Sequence, residues 1–121
     1  MAETLICGSK LKNLMCGSTV IKDVMLADTY VKRFKGYMFC KTPCCNAIIL
    51  IPCSSIHTFF MKFRIDVLFI NEKMEIAKKI ENLGPGKLIL PVKGVKMVIE
   101  GRAGVFKDFE PGCKIEILEA D

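Results

Sequence analysis

The chain has 121 residues, of which 51% are hydrophobic and 26% are charged, a balance typical of a folded globular protein. This length corresponds to about one domain and is sufficient to bury a hydrophobic core without cross-links. The formal net charge is +5, but fifteen of the eighteen basic residues are lysines, and they are scattered among acidic residues. Such a distribution does not favour nucleic-acid binding, for which basic residues, often arginines, are usually concentrated on one face.

No membrane-spanning helix is predicted, because the longest apolar run, residues 47–52, is far shorter than the roughly 20 residues that a span requires. Residues 1–7 include an acidic residue and lack the basic start and long apolar stretch of a secretory signal. The seven cysteines are an odd number, which would leave one unpaired in an exported protein. We therefore expect a cytoplasmic protein with reduced thiols, several of them serving as small buried hydrophobic side chains.

The chain has no repeat, low-complexity segment or linker, so residues 1–121 are predicted to form a single domain. Short runs rich in Val, Ile, Leu and Phe alternate with Gly, Pro, Asn and Asp, which is typical of β-strands. In chain order, the predicted strands are residues 19–26, 47–51, 58–61, 66–70, 75–83, 87–90, 96–100 and 113–118.

Two short helices interrupt this pattern. Residues 28–34 are predicted to be helical, with Asp28 as the N-cap and Gly36 at the end, and so are residues 103–109 before Pro111. Residues 65–70 are apolar apart from Asp66, so this strand is expected to be buried on both faces. The order of elements predicts a mainly β fold, either a β-sandwich or a partly closed barrel.

Three segments resemble one known family. Residues 33–38 are similar to a signature of Arg, two variable residues, Gly, Leu and Met, in which Tyr37 replaces Leu. Residues 56–70 are similar to a central motif with an aromatic-Met pair and a strand that opens with Asp66. Residues 98–104 are similar to an element of Glu, two variable residues, Ala and Gly. Over about residues 23–118, the chain resembles the family called domain of unknown function 192.

The resemblance implies a jelly-roll-like β-sandwich but no activity, because the family has no established reaction. Two departures from its pattern are Cys113, where Asp is usual after the turn glycine, and Phe60, where Trp is common.

His57 is the single histidine, so a hydrolase-type mechanism that relies on imidazole would pair His57 with a carboxylate or a thiol. A zinc-stapled structural domain is a second alternative, because soft ligands are clustered in the sequence. The usual Cys-x-x-Cys spacing of structural zinc sites is absent, and packed reduced thiols are the favoured interpretation. The candidate zinc ligands are Cys40, Cys44, Cys45, Cys53 and His57.

Four polar residues border apolar strands in the family-like segments and are the candidate ligand-binding residues: Arg33, His57, Asp66 and Glu100. A buried charge requires a partner, so one interpretation is that Arg33 pairs with Asp66 or Glu100. The other is that the four residues surround a concavity in which Arg33 binds an anionic or hydroxyl-rich ligand.

These observations favour a non-enzymatic binding or accessory module over an enzyme. Its expected partner is a small polar or anionic ligand or a protein segment, with no resident cofactor. Zinc would be the cofactor of the zinc-stapled alternative. The sequence does not define the oligomeric state.

Overall fold

Seven strands form one curved sheet that provides most of the fold. The protein is described by a computed structural model over residues 11–119. Residues 1–7, in which no secretory signal is predicted, lie outside this range. The elements are β1 (Leu11–Cys16), β2 (Thr19–Ala27), α1 (Tyr30–Lys35), β3 (Ala47–Leu50), β4 (Ile56–His57), β5 (Ile65–Asn71), β6 (Ile76–Leu83), β7 (Leu88–Ile89), β8 (Val95–Arg102) and β9 (Ile115–Glu119).

The strand order in the large sheet is β6-β5-β8-β3-β2-β1-β9, and β4 and β7 form a separate pair. The two edge strands of the large sheet, β6 and β9, approach each other at one end. The N–H of Ile76 donates to the carbonyl of Cys113 at 2.9 Å, and the N–H of Ile115 donates to that of Met74 at 2.7 Å. The sheet is thus a curled half-barrel with one short helix, and the prediction of a mainly β single domain is confirmed.

The three central strands β3, β5 and β8 are buried on both faces of the sheet. Alternate side chains of a strand point to opposite faces, so each strand contributes to two hydrophobic clusters. Inside the curl, Ile49, Leu68 and Ile99 pack together, and on the outer face Ile48 and Phe69 belong to a second cluster. Two buried faces require two covers, and both come from connecting segments.

The inner cluster is covered by residues 103–109, which place the buried rings of Phe106 and Phe109 on the sheet. The prediction of a helix here is wrong. The segment forms consecutive turns, with N–H to carbonyl bonds from Lys107 to Gly104 (3.3 Å) and from Phe109 to Phe106 (2.9 Å). Gly104 has φ +88°, a left-handed conformation that a regular helix does not contain.

The outer cluster is covered by α1, the β4–β7 pair and the loops between them. The predicted first helix is present, but its N-cap is Thr29 rather than Asp28, and it ends at Gly36. The predicted strand at residues 58–61 is wrong, because β4 ends at His57 and a turn follows. The buried hydroxyl of Thr58 donates to the carbonyl of Gly84 (2.7 Å) and accepts the N–H of Lys87 (2.8 Å), which joins this turn to the turn before β7.

Strand β1 was not predicted, because its pattern Leu-Lys-Asn-Leu-Met-Cys alternates imperfectly. It pairs with β2 and with β9, which is about 100 residues away. Within residues 11–119, no helix combines the length and the apolar character that a bilayer crossing requires.

A disulfide between Cys16 and Cys113 joins the end of β1 to the loop before β9, with a Cα–Cα distance of 6.6 Å. This differs from the expectation of reduced thiols. The pair was not foreseen because 97 residues separate the two cysteines in sequence. The bond closes the half-barrel at the end where its edge strands approach each other.

We expect this disulfide to stabilise the fold, because it closes a long loop and so restricts the unfolded chain. Reduction should lower the free energy of unfolding by about 2–4 kcal/mol, measured by urea denaturation with and without dithiothreitol. The variant Cys113→Ser should show the lower stability in both conditions. Equal stability of oxidised and reduced wild-type protein would contradict this account.

Candidate functional site

Two buried carboxylates lie on adjacent strands at the same level of the sheet but on opposite faces. In the β5–β8 register, Asp66 is opposite Gly101 and Val67 is opposite Glu100. Each carboxylate is 2% exposed. Their surroundings differ, and this difference separates a structural residue from a candidate functional one.

The carboxylate of Asp66 has two backbone partners. One oxygen accepts the N–H of Asn82 at 2.8 Å, and the other accepts the N–H of Gly104 at 2.9 Å. Asp66 therefore ties the end of β6 and the turn after β8 to β5. It does not line the pocket that contains the other three sequence-predicted site residues.

Arg33, His57 and Glu100 line one pocket of about 280 Å³ between α1 and the β4–β7 pair. Glu100 lies at its base, beneath the end of α1. Tyr30, Phe34 and Leu88 form exposed apolar walls. The structure thus brings together three of the four candidates predicted from the sequence and leaves Asp66 outside.

Oxygen Oε1 of Glu100 is buried and has no hydrogen-bond partner among residues 11–119. Burial raises the pKa of this carboxyl group from 4.5 to about 8, and the nearby backbone N–H of Tyr37 has a smaller, opposite effect. The group is therefore predominantly protonated at neutral pH. An unsatisfied polar atom in the interior costs free energy unless a ligand supplies the missing bond.

Gly36 permits this arrangement because it has no side chain. Its φ is +46°, and a Cβ built on it would come within 2.6 Å of Oε1 of Glu100. The end of α1 can therefore lie directly on the carboxyl group only if residue 36 is glycine. This contact joins the first and third of the family-like segments.

Tyr37, which replaces the usual leucine of the signature, holds the next part of the loop in place. Its buried hydroxyl donates to the carbonyl of Cys45 at 3.0 Å, and its ring packs edge-on against Phe63 at 5.4 Å. Burial is the main cause that raises the pKa of Tyr37, and the nearby Cys45 and Glu100 contribute.

Arg33 contacts backbone oxygens rather than a carboxylate. Its Nη1 donates to the carbonyls of Asp28 (3.1 Å) and Ile51 (3.3 Å), and the guanidinium lies over the ring of Tyr30 at 4.8 Å. Among residues 11–119, no acidic side chain forms an ion pair with it, so the suggested pairing with Asp66 or Glu100 is not observed. A guanidinium has five N–H donors, and the two contacts of Nη1 use two of them.

Both ring nitrogens of His57 are engaged by the backbone. Nδ1 accepts the N–H of Phe59 at 3.1 Å, so Nε2 carries the proton and donates to the carbonyl of Phe34 at 3.0 Å. Its ring also packs between Phe34 (5.0 Å) and Phe59 (5.3 Å). This histidine links α1 to β4, and neither nitrogen is available as a base in this arrangement.

The five residues considered as zinc ligands do not form a metal cage. Within the part of the chain that the structure describes, no three His, Cys, Asp or Glu side chains are grouped to hold a metal ion. The Sγ atoms of Cys44 and Cys45 are 3.8 Å apart, and the thiol of Cys45 donates to the carbonyl of Ala47. Burial is the main cause that raises the pKa of Cys53, whose thiol donates to the carbonyl of Ser55 at 2.9 Å.

The fold and the sequence both have relatives among known proteins. A sequence profile of domain of unknown function 192 (DUF192), described as an uncharacterized ACR, matches residues 14–117. The chain belongs to the DUF192 family. A UPF0127 protein of Pyrococcus furiosus is 32% identical over 111 residues, which cover 86% of this chain and 94% of that protein. A UPF0127 protein of Pyrococcus abyssi is 34% identical over 100 residues, covering 77% and 84%.

A crystal structure of a protein of unknown function from Novosphingobium aromaticivorans has a TM-score of 0.75 with 21% identity. The match covers 90% of this chain and 86% of that one. A likeness at this identity shows the shared fold alone. The DUF192 family has no established function, so the function of this chain has to be argued from its own pocket.

Sequence reasoning did not identify the apolar walls of the pocket, Tyr30, Phe34 and Leu88. Phe34 is 63% exposed. The sequence signal for these walls was the presence of Tyr, Val and Phe in the short helix α1, in which the structure buries no residue. An apolar but unburied helix indicates a surface that contacts something else.

The fit between Gly36 and Glu100 can be tested with alanine. We expect Gly36→Ala to lower the free energy of unfolding by about 1–3 kcal/mol more than Gly17→Ala, measured by urea denaturation. Gly17 is a matched control because its φ is +63° but nothing lies within 4 Å of a Cβ there. Both variants carry backbone strain, and only Gly36→Ala also displaces the carboxyl group. Equal losses would show that Glu100 does not need this space.

The buried carboxyl group should also make stability depend on pH. Between pH 4.5 and about 8, native Glu100 holds a proton that the unfolded chain has released. The free energy of unfolding should therefore fall by up to about 1.4 kcal/mol per pH unit across this range and level off above it. Glu100→Gln resembles the neutral carboxyl group, so it should remove this decline and stabilise the protein by on the order of 3 kcal/mol at neutral pH.

Urea denaturation of both proteins at several pH values measures this slope. The exposed residue Glu116 supplies the control, since Glu116→Gln should leave the wild-type slope unchanged. Parallel stability curves for wild type and Glu100→Gln would rule out the buried proton.

Proposed function

We propose that this protein is a non-enzymatic module that binds a small anionic ligand, such as a carboxylate with an apolar body, in the pocket above Glu100. The observation that carries the proposal is the buried Oε1 of Glu100, a pocket-lining residue, because this oxygen has no hydrogen-bond partner within residues 11–119. A ligand oxygen that accepts the proton of the neutral carboxyl group would complete its hydrogen bonding.

The charge of the pocket favours an anion. Arg33 and Lys35 are the positively charged residues that line the pocket, and Glu100 is predominantly neutral at physiological pH because burial raises its pKa to about 8. A carboxylate could accept hydrogen bonds from the carboxyl group of Glu100 and from the guanidinium of Arg33. Arg33 is already held by Asp28 and Ile51, so little side-chain entropy is lost on binding.

The size and walls of the pocket favour a small ligand with an apolar part. Its volume of about 280 Å³ is at the lower end of the range for small-molecule sites. Tyr30, Phe34 and Leu88 would contact the apolar body of the ligand and exclude water from the polar contacts. Such walls surrounding few polar groups are typical of small-molecule sites.

A hydrolase that uses His57 is supported less well, because the backbone of Phe34 and Phe59 engages both of its nitrogens. The cytoplasm remains the proposed compartment. A disulfide does not contradict it, since stable disulfides also occur inside the cells of some organisms.

Titration with benzoate, hexanoate and phenylacetate, followed by NMR shifts of the Gly36 and His57 amides, tests the proposal. The neutral amides of the same acids are the ligand controls. We expect the acids to bind near neutral pH and to lose about tenfold in affinity per pH unit above 8, because binding requires protonated Glu100. Glu100→Gln should bind without this pH dependence, since its amide still donates.

Arg33→Lys should weaken binding, because an ammonium cannot reproduce the planar contact with a carboxylate, while the exposed control Arg102→Lys should not. The proposal fails if the acids and their amides bind equally, if the shifts lie away from the pocket, or if Arg33→Lys and wild type bind alike.

A further inference from the structure

The charges of this protein are divided between two parts of the fold, although its lysines are scattered in sequence. Residues 29–65 and 83–99 contain none of the thirteen acidic residues but nine of the eighteen basic ones. These segments therefore carry a formal charge of +9. The rest of the chain, with nine basic and thirteen acidic residues, carries −4. The basic residues concerned are Lys32, Arg33, Lys35, Lys41, Lys62, Arg64, Lys87, Lys93 and Lys96.

The two basic segments are joined in space, and they contain α1 and the β4–β7 pair, which cover the outer face of the sheet. Strand β4 of the first pairs with β7 of the second. The N–H of Thr58 donates to the carbonyl of Lys87 at 2.8 Å, and that of Cys53 donates to the carbonyl of Lys96 at 2.9 Å. The positive charge is therefore concentrated on one side of the protein.

The two segments carry seven large apolar side chains that are 59–86% exposed, one of which is Leu90. We call the other six the apolar surface: Tyr30, Val31, Phe34, Phe39, Phe60 and Leu88. They are continuous, because Tyr30, Phe34 and Leu88 share the ligand pocket and Tyr30, Val31, Phe34 and Phe39 line an adjoining groove of about 430 Å³. Phe60 continues the surface through its ring contact with Phe39 at 5.3 Å.

Two of these aromatic residues project from turns in a backbone conformation that bulky side chains rarely adopt. Phe39 has φ +68° and Phe60 has φ +63°. The N–H of Phe39 donates to the carbonyl of Phe60 at 3.0 Å, which fixes the two turns together. Such positions are strained for phenylalanine, and strain of this kind is concentrated at functional sites.

We propose that the apolar surface and the surrounding lysines dock this protein on the surface of an anionic lipid bilayer. Exposed Lys41 and Lys62 lie two residues after Phe39 and Phe60, and Lys87 precedes Leu88, so cationic groups adjoin the apolar side chains. Lysines attract anionic headgroups, while aromatic and aliphatic side chains enter the boundary between headgroups and acyl chains.

A lipid surface suits these side chains better than a nucleic acid does. The rings of Phe39 and Phe60 stack on each other, and Phe59 stacks on His57, so one face of each phenylalanine ring is already occupied and only the other is left for a base. Val31 and Leu88 are aliphatic and find a counterpart in acyl chains. Lysines also predominate over the arginines that direct contacts to bases favour.

Co-sedimentation with phosphatidylcholine vesicles, with and without phosphatidylglycerol, tests the docking. We expect binding to the anionic vesicles alone, weakened by salt. The chain has no tryptophan, so Phe39→Trp introduces a single tryptophan whose emission can be followed separately from that of the two tyrosines. Its emission should shift to the blue on binding, whereas Val20→Trp, at the far end of β2 from α1, should show no shift.

Paired variants separate this surface from the effect of net charge. Lys41→Glu with Lys62→Glu should weaken binding by more than about tenfold, because each basic residue near an anionic surface contributes roughly fivefold in affinity. Lys22→Glu with Lys107→Glu changes the net charge equally but outside the two basic segments, and should change affinity by less than about threefold. Phe39→Asn with Phe60→Asn removes the rings but keeps residues that tolerate positive φ, and should also reduce binding.

The proposal is overturned if the protein does not bind anionic vesicles, or if the two double lysine variants weaken binding equally. It is also overturned if the tryptophan emission shifts only in the Val20→Trp variant. A further contradicting result is that the Phe39→Trp protein binds single-stranded oligo-dT but does not bind anionic vesicles at the same salt concentration. The docking proposal does not require a ligand in the pocket, so Glu100→Gln should leave vesicle binding unchanged.

Discussion

The fold depends on a sheet whose central strands are buried on both faces, because such a sheet needs a cover on each side. Residues 103–109 cover the inner face with Phe106 and Phe109, and α1 with the β4–β7 pair covers the outer face. Asp66 and Glu100 point in opposite directions from neighbouring positions of this sheet. Each carboxyl group contacts the backbone of the segment that covers its face of the sheet. Asp66 binds Gly104 of the inner cover, and Glu100 lies against Gly36 at the end of α1.

The three family-like segments therefore describe contacts between the sheet and its covers. Within residues 11–119, however, the two buried carboxylates differ in their hydrogen bonding: each oxygen of Asp66 accepts one backbone N–H, while Oε1 of Glu100 has none. A carboxylate that only fastens a loop has no need of an unsatisfied oxygen beside a pocket. This contrast distinguishes a residue that holds the fold together from one that is available to a ligand.

The sequence was sufficient for the fold class, since the run at residues 65–70 has the apolar character of a strand buried on both faces, as β5 is. It misled at residues 58–61 and 103–109, where hydrogen bonds of Thr58 and the left-handed Gly104 decide the backbone. Arg33, His57 and Glu100 were selected as charged or polar residues beside apolar strands. These three residues come together because of the register of β8 in the sheet and because α1 and β4 pack over the sheet. The periodicity of apolar residues in the sequence encodes neither. The charge asymmetry could be predicted from the sequence, because residues 29–65 and 83–99 contain no acidic residue. The even spacing of the lysines does not show it.

The ligand pocket and the apolar surface share Tyr30, Phe34 and Leu88, so the two proposals are physically linked. A bilayer in contact with the surface would lie across the pocket mouth, and an anion bound inside would bring its negative charge close to the same lysines. Binding to vesicles and binding of a water-soluble carboxylate should then compete. A ligand that enters from the bilayer, with its acid group at Glu100 and its apolar body toward the lipid, would instead favour both. The sign of this coupling, read from vesicle binding with and without benzoate, distinguishes a site that faces water from one that faces the membrane.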